Sequence, residues 1–127
     1  ATFVNFDAAA WTFINAAKNG TWMYIKSYKN SNQLMQPVNY EGTYVNLWDD
    51  GGAYKQWQFE AHDDYFYIKN MNTGKYLWFD ALKNGAAVNA ETVNPGWNNR
   101  FKLVTDQRTL TFSIRPYADT KYCVEIG

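Results

Sequence analysis

The chain is poor in the residues that would define several protein classes. It has one cysteine and one histidine in 127 residues, three prolines, few leucines, and no net charge. A single cysteine rules out a disulfide framework. A chain of this length buries about two-thirds of its unfolded surface and needs no such staple. Twelve basic side chains balance twelve acidic ones, with a pI near 6.8. No broad basic field exists to attract a phosphate backbone, so nucleic acid is not an expected partner. No stretch approaches the roughly 18–20 apolar residues that span a bilayer, and Ala1 to Phe6 lack a charged start followed by an apolar run. We therefore expect a soluble single domain without membrane insertion, any export signal having been removed, in a secreted or cytoplasmic setting. Cys123, alone in an apolar run, reads as a small core residue rather than a nucleophile.

Aromatics are abundant instead: six Trp, ten Tyr and eight Phe. Such side chains fit pleated, half-buried surfaces. Short alternating segments recur at Trp22–Lys26, Thr43–Leu47, Trp57–Phe59, Tyr65–Lys69, Lys75–Phe79, Phe101–Val104, Leu110–Ile114 and Tyr122–Ile126. Turn signals separate them: Asn19-Gly20, Asp50-Gly51-Gly52, Asn72-Thr73-Gly74, Asn84-Gly85 and Asn94-Pro95-Gly96. This spacing predicts an all-β barrel or sandwich. Ala8–Ala17 is rich in alanine, but Trp11-Thr-Phe-Ile14 alternates, so that segment is also read as strand.

The segments repeat at a longer period. Trp22-Met-Tyr-Ile-Lys26 aligns with Tyr65-Phe-Tyr-Ile-Lys69, Leu34 with Leu77, Gly42-Thr-Tyr-Val-Asn46 with Gly85-Ala-Ala-Val-Asn89, and Trp57-Gln-Phe59 with Phe101-Lys-Leu103. A third copy begins at Thr111-Phe-Ser-Ile-Arg115 and stops at Gly127. Its other half is at the start, where Ala1-Thr-Phe-Val-Asn5 and Trp11-Thr-Phe13 repeat the same positions. The expected division is one domain, 1–127, with unit one at about 21–63, unit two at about 64–108, and a split unit made of about 109–127 plus 1–20. Three units of about 42 residues with their ends meeting predict an all-β, pseudo-threefold β-trefoil. Its core layers would be Val4/Val45/Val88, Ile25/Ile68/Ile114, Trp11/Trp57/Phe101 and Leu34/Leu77/Cys123.

Units that carry Asn-Thr-Gly-Lys-Tyr-Leu, then Gly-x-x-Val-Asn, then an aromatic close resemble the ricin B-chain-like (R-type) lectins, also called family 13 carbohydrate-binding modules. The likeness is strongest over Tyr67–Leu103. Family units usually close on Gln-x-Trp. Here Ala9, Lys55 and Asn99 hold the glutamine position, before Trp11, Trp57 and Phe101. Gly74-Lys-Tyr-Leu77 and Gly85–Ala90 are also similar to fascin-type, actin-bundling trefoils.

The resemblance implies sugar sites in which a ring covers the apolar face of a pyranose and amides or carboxylates bond its hydroxyls. In unit one these positions carry Gln36 or Asn39, Asn46, Trp48, Asp49, and Tyr54 with Lys55. In unit two they carry Asp80, Asn89, Glu91, and Trp97 with Asn98 and Asn99. The split unit has Glu125, Asn5, Asp7, Ala9 and Ala10 with Phe6 as its ring, a poor set. Each position has a plainer alternative: Trp48 packing on the barrel rim, Asp80 closing a turn, the Asn5/Asn46/Asn89 triplet bonding loop backbone.

Catalysis has little support. His62 lies between acidic turn residues, Asp49-Asp50 and Asp63-Asp64 are adjacent pairs that cannot flank a bond, and no nucleophile, phosphate-loop or metal-ligand spacing appears. Asn19-Gly20-Thr21 fits a glycosylation acceptor, a pattern common by chance. The expected function is a non-enzymatic lectin with no cofactor or metal, whose partners are glycans or glycoconjugates and which has the option of a homodimer. The alternative is a protein-binding trefoil of the actin-bundling or protease-inhibitor kind.

Overall fold

The computed structural model describes residues 16–28, 33–37, 44–48, 55–91, 94–106, 108–109 and 111–124. Nine strands run through them: β1 (Trp22–Tyr24), β2 (Leu34–Pro37), β3 (Val45–Trp48), β4 (Gln56–His62), β5 (Tyr65–Asn70), β6 (Tyr76–Phe79), β7 (Val88–Glu91), β8 (Phe101–Asp106) and β9 (Thr111–Pro116). A 3-10 turn at Trp97–Asn99 precedes β8.

An antiparallel wall runs β1-β4-β5-β8-β9, and the hairpins β2-β3 and β6-β7 stand off it. One pair, Lys69↔Tyr76, joins β6 to β5. The hairpins meet where Tyr44 bridges Asn89.

Alternation explains the packing. On β4, Trp57 and Phe59 point inward between half-buried Gln56, Gln58 and Glu60. On β5, Ile68 and Asn70 do the same. Edge-to-face ring pairs fill the interior: Phe59 with Phe66 at 6.0 Å, and Phe79 with Phe101 at 5.7 Å. Each fully buried large apolar side chain contributes about 1.5–3 kcal/mol relative to exposure. The isoleucine layer holds, since Ile25, Ile68 and Ile114 are all buried in one cluster. Trp57 and Phe101 are buried too, and Val45 and Val88 pack against the cluster. Their expected partners Val4 and Trp11 lie outside the described residues.

The fourth layer is displaced by one position. Lys26↔Leu34 and Lys69↔Tyr76 are equivalent bridges, so the residues that follow, Met35 and Leu77, are the matching core pair. Val124 completes the set: its N–H donates to Ile114 O at 2.8 Å, as that of Met35 does to Ile25 O at 2.9 Å. Cys123, expected in the core, is exposed, because neighbouring residues on an extended chain face opposite sides. Tyr122–Val124 is not assigned as strand.

The alanine-rich segment also departs from expectation. Its described end, residues 16–18, is a helical turn. Gly20, at φ 71°, closes that turn, donating its N–H to Ala17 O, and Thr21 N–H donates to Ala16 O.

Candidate functional site

In unit one, Gln36↔Asn46 and Leu34↔Trp48 are cross-strand pairs on one face of β2-β3, opposite Met35 and Leu47. Buried Gln36 donates from Nε2 to Asn46 Oδ1 at 2.9 Å. The bond fixes the Asn46 amide and leaves its Nδ2 outside the pair. Two residues along the same strand face, Trp48 ends β3 with 57% of its surface exposed. Asn39, Asp49 and Tyr54 lie outside the described residues.

In unit two the equivalent pairs are Trp78↔Asn89 and Tyr76↔Glu91. The β6-β7 hairpin therefore carries Trp78 where β2-β3 carries Gln36, and Glu91 where it carries Trp48. Asp80 is exposed at the end of β6, its N–H donating to Ala87 O at 2.9 Å. Trp97, 55% exposed, stands edge-on to Phe79 at 5.4 Å. Phe79 and Trp78 point to opposite faces, so Trp97, packed on Phe79, lies away from the face that carries Trp78 and Asn89. The structure thus splits the residues expected to form a single site in unit two. Glycines at positive φ set the flanking turns, Gly74 (69°) before β6 and Gly85 (80°) before β7.

Sequence matching assigns residues 53–127 to the ricin-type beta-trefoil lectin domain-like family. The chain belongs to that family. No curated protein sequence matches it. Solved structures show the same fold. A designed threefold-symmetric protein, ThreeFoil, superposes with a TM-score of 0.69 at 19% identity over 78% of this chain and 74% of its own. A mosquitocidal holotoxin gives 0.66 at 20% identity, 82% of this chain matching 13% of the toxin chain. The Haemophilus ducreyi cytolethal distending toxin gives 0.59 at 17% identity, over 81% of this chain and 62% of that one. The architecture is the β-trefoil, and carbohydrate is the ligand class expected at family level.

Against the family's Gln-x-Trp close, this ricin-type trefoil places Lys55 and Asn99 in the interior, 0% and 1% exposed. Asn99 Nδ2 donates to Leu77 O at 3.0 Å and its Oδ1 accepts from Gly96 N–H at 2.9 Å. In unit one Trp57 Nε1 donates to the equivalent carbonyl, Met35 O, at 3.0 Å. Phe101 has no ring N–H, so the amide two residues earlier supplies that donor. Asn98, half-buried beside Trp97, is the outward member of the pair.

One further surface of the lectin-like fold carries none of the residues expected in a sugar site. Tyr65, Tyr67 and Lys69 line the outer side of β5, opposite the core. His62 stacks on Tyr65 (5.7 Å, 18°), Tyr67 leans on Tyr65 and Tyr76, and the Arg100 guanidinium lies 4.8 Å from the Tyr65 ring centre. Tyr76 O–H donates to Glu60 and Tyr117 O–H to Asp64. Burial, then the Glu60 bond, pushes the Tyr76 hydroxyl above its ordinary pKa. The bond to Asp64 does the same for Tyr117. The signal was the Tyr-x-Tyr spacing at 65 and 67. These groups pack together as an outer wall cluster, in which the buried Arg100 Nε makes no hydrogen bond among the described residues.

Proposed function

We propose that this domain is a non-enzymatic carbohydrate-binding module with a shallow site in each described hairpin. The observation that carries the reading is Trp48: a large indole left in water on the same strand face as an amide held rigid by Gln36. The ring suits the C–H face of a pyranose, and Asn46 Nδ2 suits an adjacent hydroxyl. Asp49 and Tyr54 would complete the unit-one set, with Lys55, wholly buried, as support beneath it and not a contact. In unit two, Trp97 supplies the ring, Asp80 and Asn98 the polar contacts, Asn99 the support beneath them, and Asn89 a contact on the neighbouring face.

A single open site of this kind binds at about millimolar Kd, roughly −4 kcal/mol. Several sites on one glycan surface raise the avidity by about 10² to 10⁴. That arithmetic suits a targeting module, and the fold's recurrence within larger toxin chains supports such a use.

The test is competition. Free monosaccharides at high concentration should displace the domain from an immobilised glycoprotein. Binding that no sugar competes would replace this reading with the protein-binding one.

A further inference from the structure

We infer that a second kind of sugar subsite crosses the junction between the two hairpins, formed by Trp78, Asn89 and Tyr44. Asn89 is paired on one side with Trp78 and bridged on the other by Tyr44. Directly opposed residues of antiparallel strands share a face with Cβ atoms about 4.5–5.5 Å apart. The three side chains therefore form one row, an amide between two rings, with Tyr44 coming from unit one. Tyr44 is 68% exposed, and Trp78 and Asn89 are half-buried.

The repeat shows what differs here. At the equivalent place in unit one, Gln36 occupies the Asn46 oxygen. Trp78 replaces that glutamine, and the Asn89 side chain has no hydrogen bond among the described residues. One substitution thus frees an amide, with donor and acceptor both unused, and sets an indole beside it. Glu91 lies two residues along on the same face and disfavours acidic sugars. The geometry points to a neutral oligosaccharide of two or more residues, one ring over Trp78 and the next over Tyr44, with Asn89 bonding the hydroxyls or acetamido group between them.

This subsite rests on the carbohydrate reading, and the test separates the two. Lactose, cellobiose and N,N′-diacetylchitobiose are titrated into the labelled domain while the Asn89 side-chain amide and the Trp48, Trp78 and Trp97 indole N–H signals are followed by NMR. The titration is repeated in a Trp48→Ala/Trp97→Ala variant and in that variant with Tyr44→Ala added. The expected result is that at least one disaccharide shifts the Asn89 and Trp78 signals saturably in the double variant. Tyr44→Ala, at an exposed position, then weakens that response roughly tenfold. Sugar-dependent shifts confined to the indoles of Trp48 and Trp97, or a Tyr44→Ala variant that binds unchanged, would overturn the subsite and leave the lectin reading standing. Absence of any shift in the unmodified domain would overturn both.

Discussion

Asn99 stands in for a tryptophan ring nitrogen: its Nδ2 reaches Leu77 O at 3.0 Å, where Trp57 Nε1 reaches Met35 O in the neighbouring unit. Both acceptors are buried backbone carbonyls, and leaving one unpaired costs about 1–3 kcal/mol. Asn99→Ala should lower stability by that amount in denaturant unfolding, and Trp57→Phe by a similar one. In the Asn99→Ala background, Phe101→Trp should recover part of the loss by restoring a ring donor. A double variant no better than Asn99→Ala alone would show that the two donors are not equivalent.

The displaced core layer gives a second expectation. Cys123→Ser, at an exposed position, should change stability by less than about 0.5 kcal/mol. Met35→Ala, in the core, should cost about 2–5 kcal/mol. Thermal or urea melts of the two variants decide it, and a costly Cys123→Ser would put Cys123 back in the core.

Glycine conformation separates two turn positions. Gly20, at φ 71°, would also place a Cβ 3.1 Å from Gln58 Nε2, whereas a Cβ on Gly74, at φ 69°, meets nothing within 4 Å. The left-handed backbone costs a non-glycine residue about 1–2 kcal/mol. Gly74→Ala should lose about that much in an unfolding titration. Gly20→Ala should lose more, because Gln58 must move and its 2.8 Å bond to Gly20 O is strained.

The tyrosine wall sets an alkaline limit. The hydroxyls of Tyr65, Tyr76 and Tyr117 all hold their protons more tightly in the folded protein, chiefly through Tyr67, burial and Asp64 respectively. A raised folded pKa favours the protonated fold. That stability is fully present below the ordinary tyrosine value of about 10 and is lost as pH rises through the folded values. Melting temperature should therefore fall above about pH 10. Tyr76→Phe should blunt the fall and cost about 1 kcal/mol at neutral pH by removing the bond to Glu60.

The repeat made much of this fold legible, because threefold packing demands matching apolar positions, and Ile25, Ile68 and Ile114 met that demand. Three features escaped. β2 does not alternate, since Met35, Gln36 and Pro37 are all buried. The fourth layer slipped because ten positions separate Ile25 from Met35 and Ile114 from Val124 but nine separate Ile68 from Leu77, a hairpin-length difference that a gapless alignment hides. The unit-two site divided because spacing alone did not show that Trp97 packs on Phe79, the face opposite Asn89.

The measurement that bears most directly on the carbohydrate reading is a glycan array probed with the unmodified domain and with Trp48→Ala. The indole lies mainly in water, so its removal should leave the melting transition in place while binding to the recognised glycans falls to background or to the remainder held by unit two. Undiminished binding by a folded Trp48→Ala domain would contradict the account.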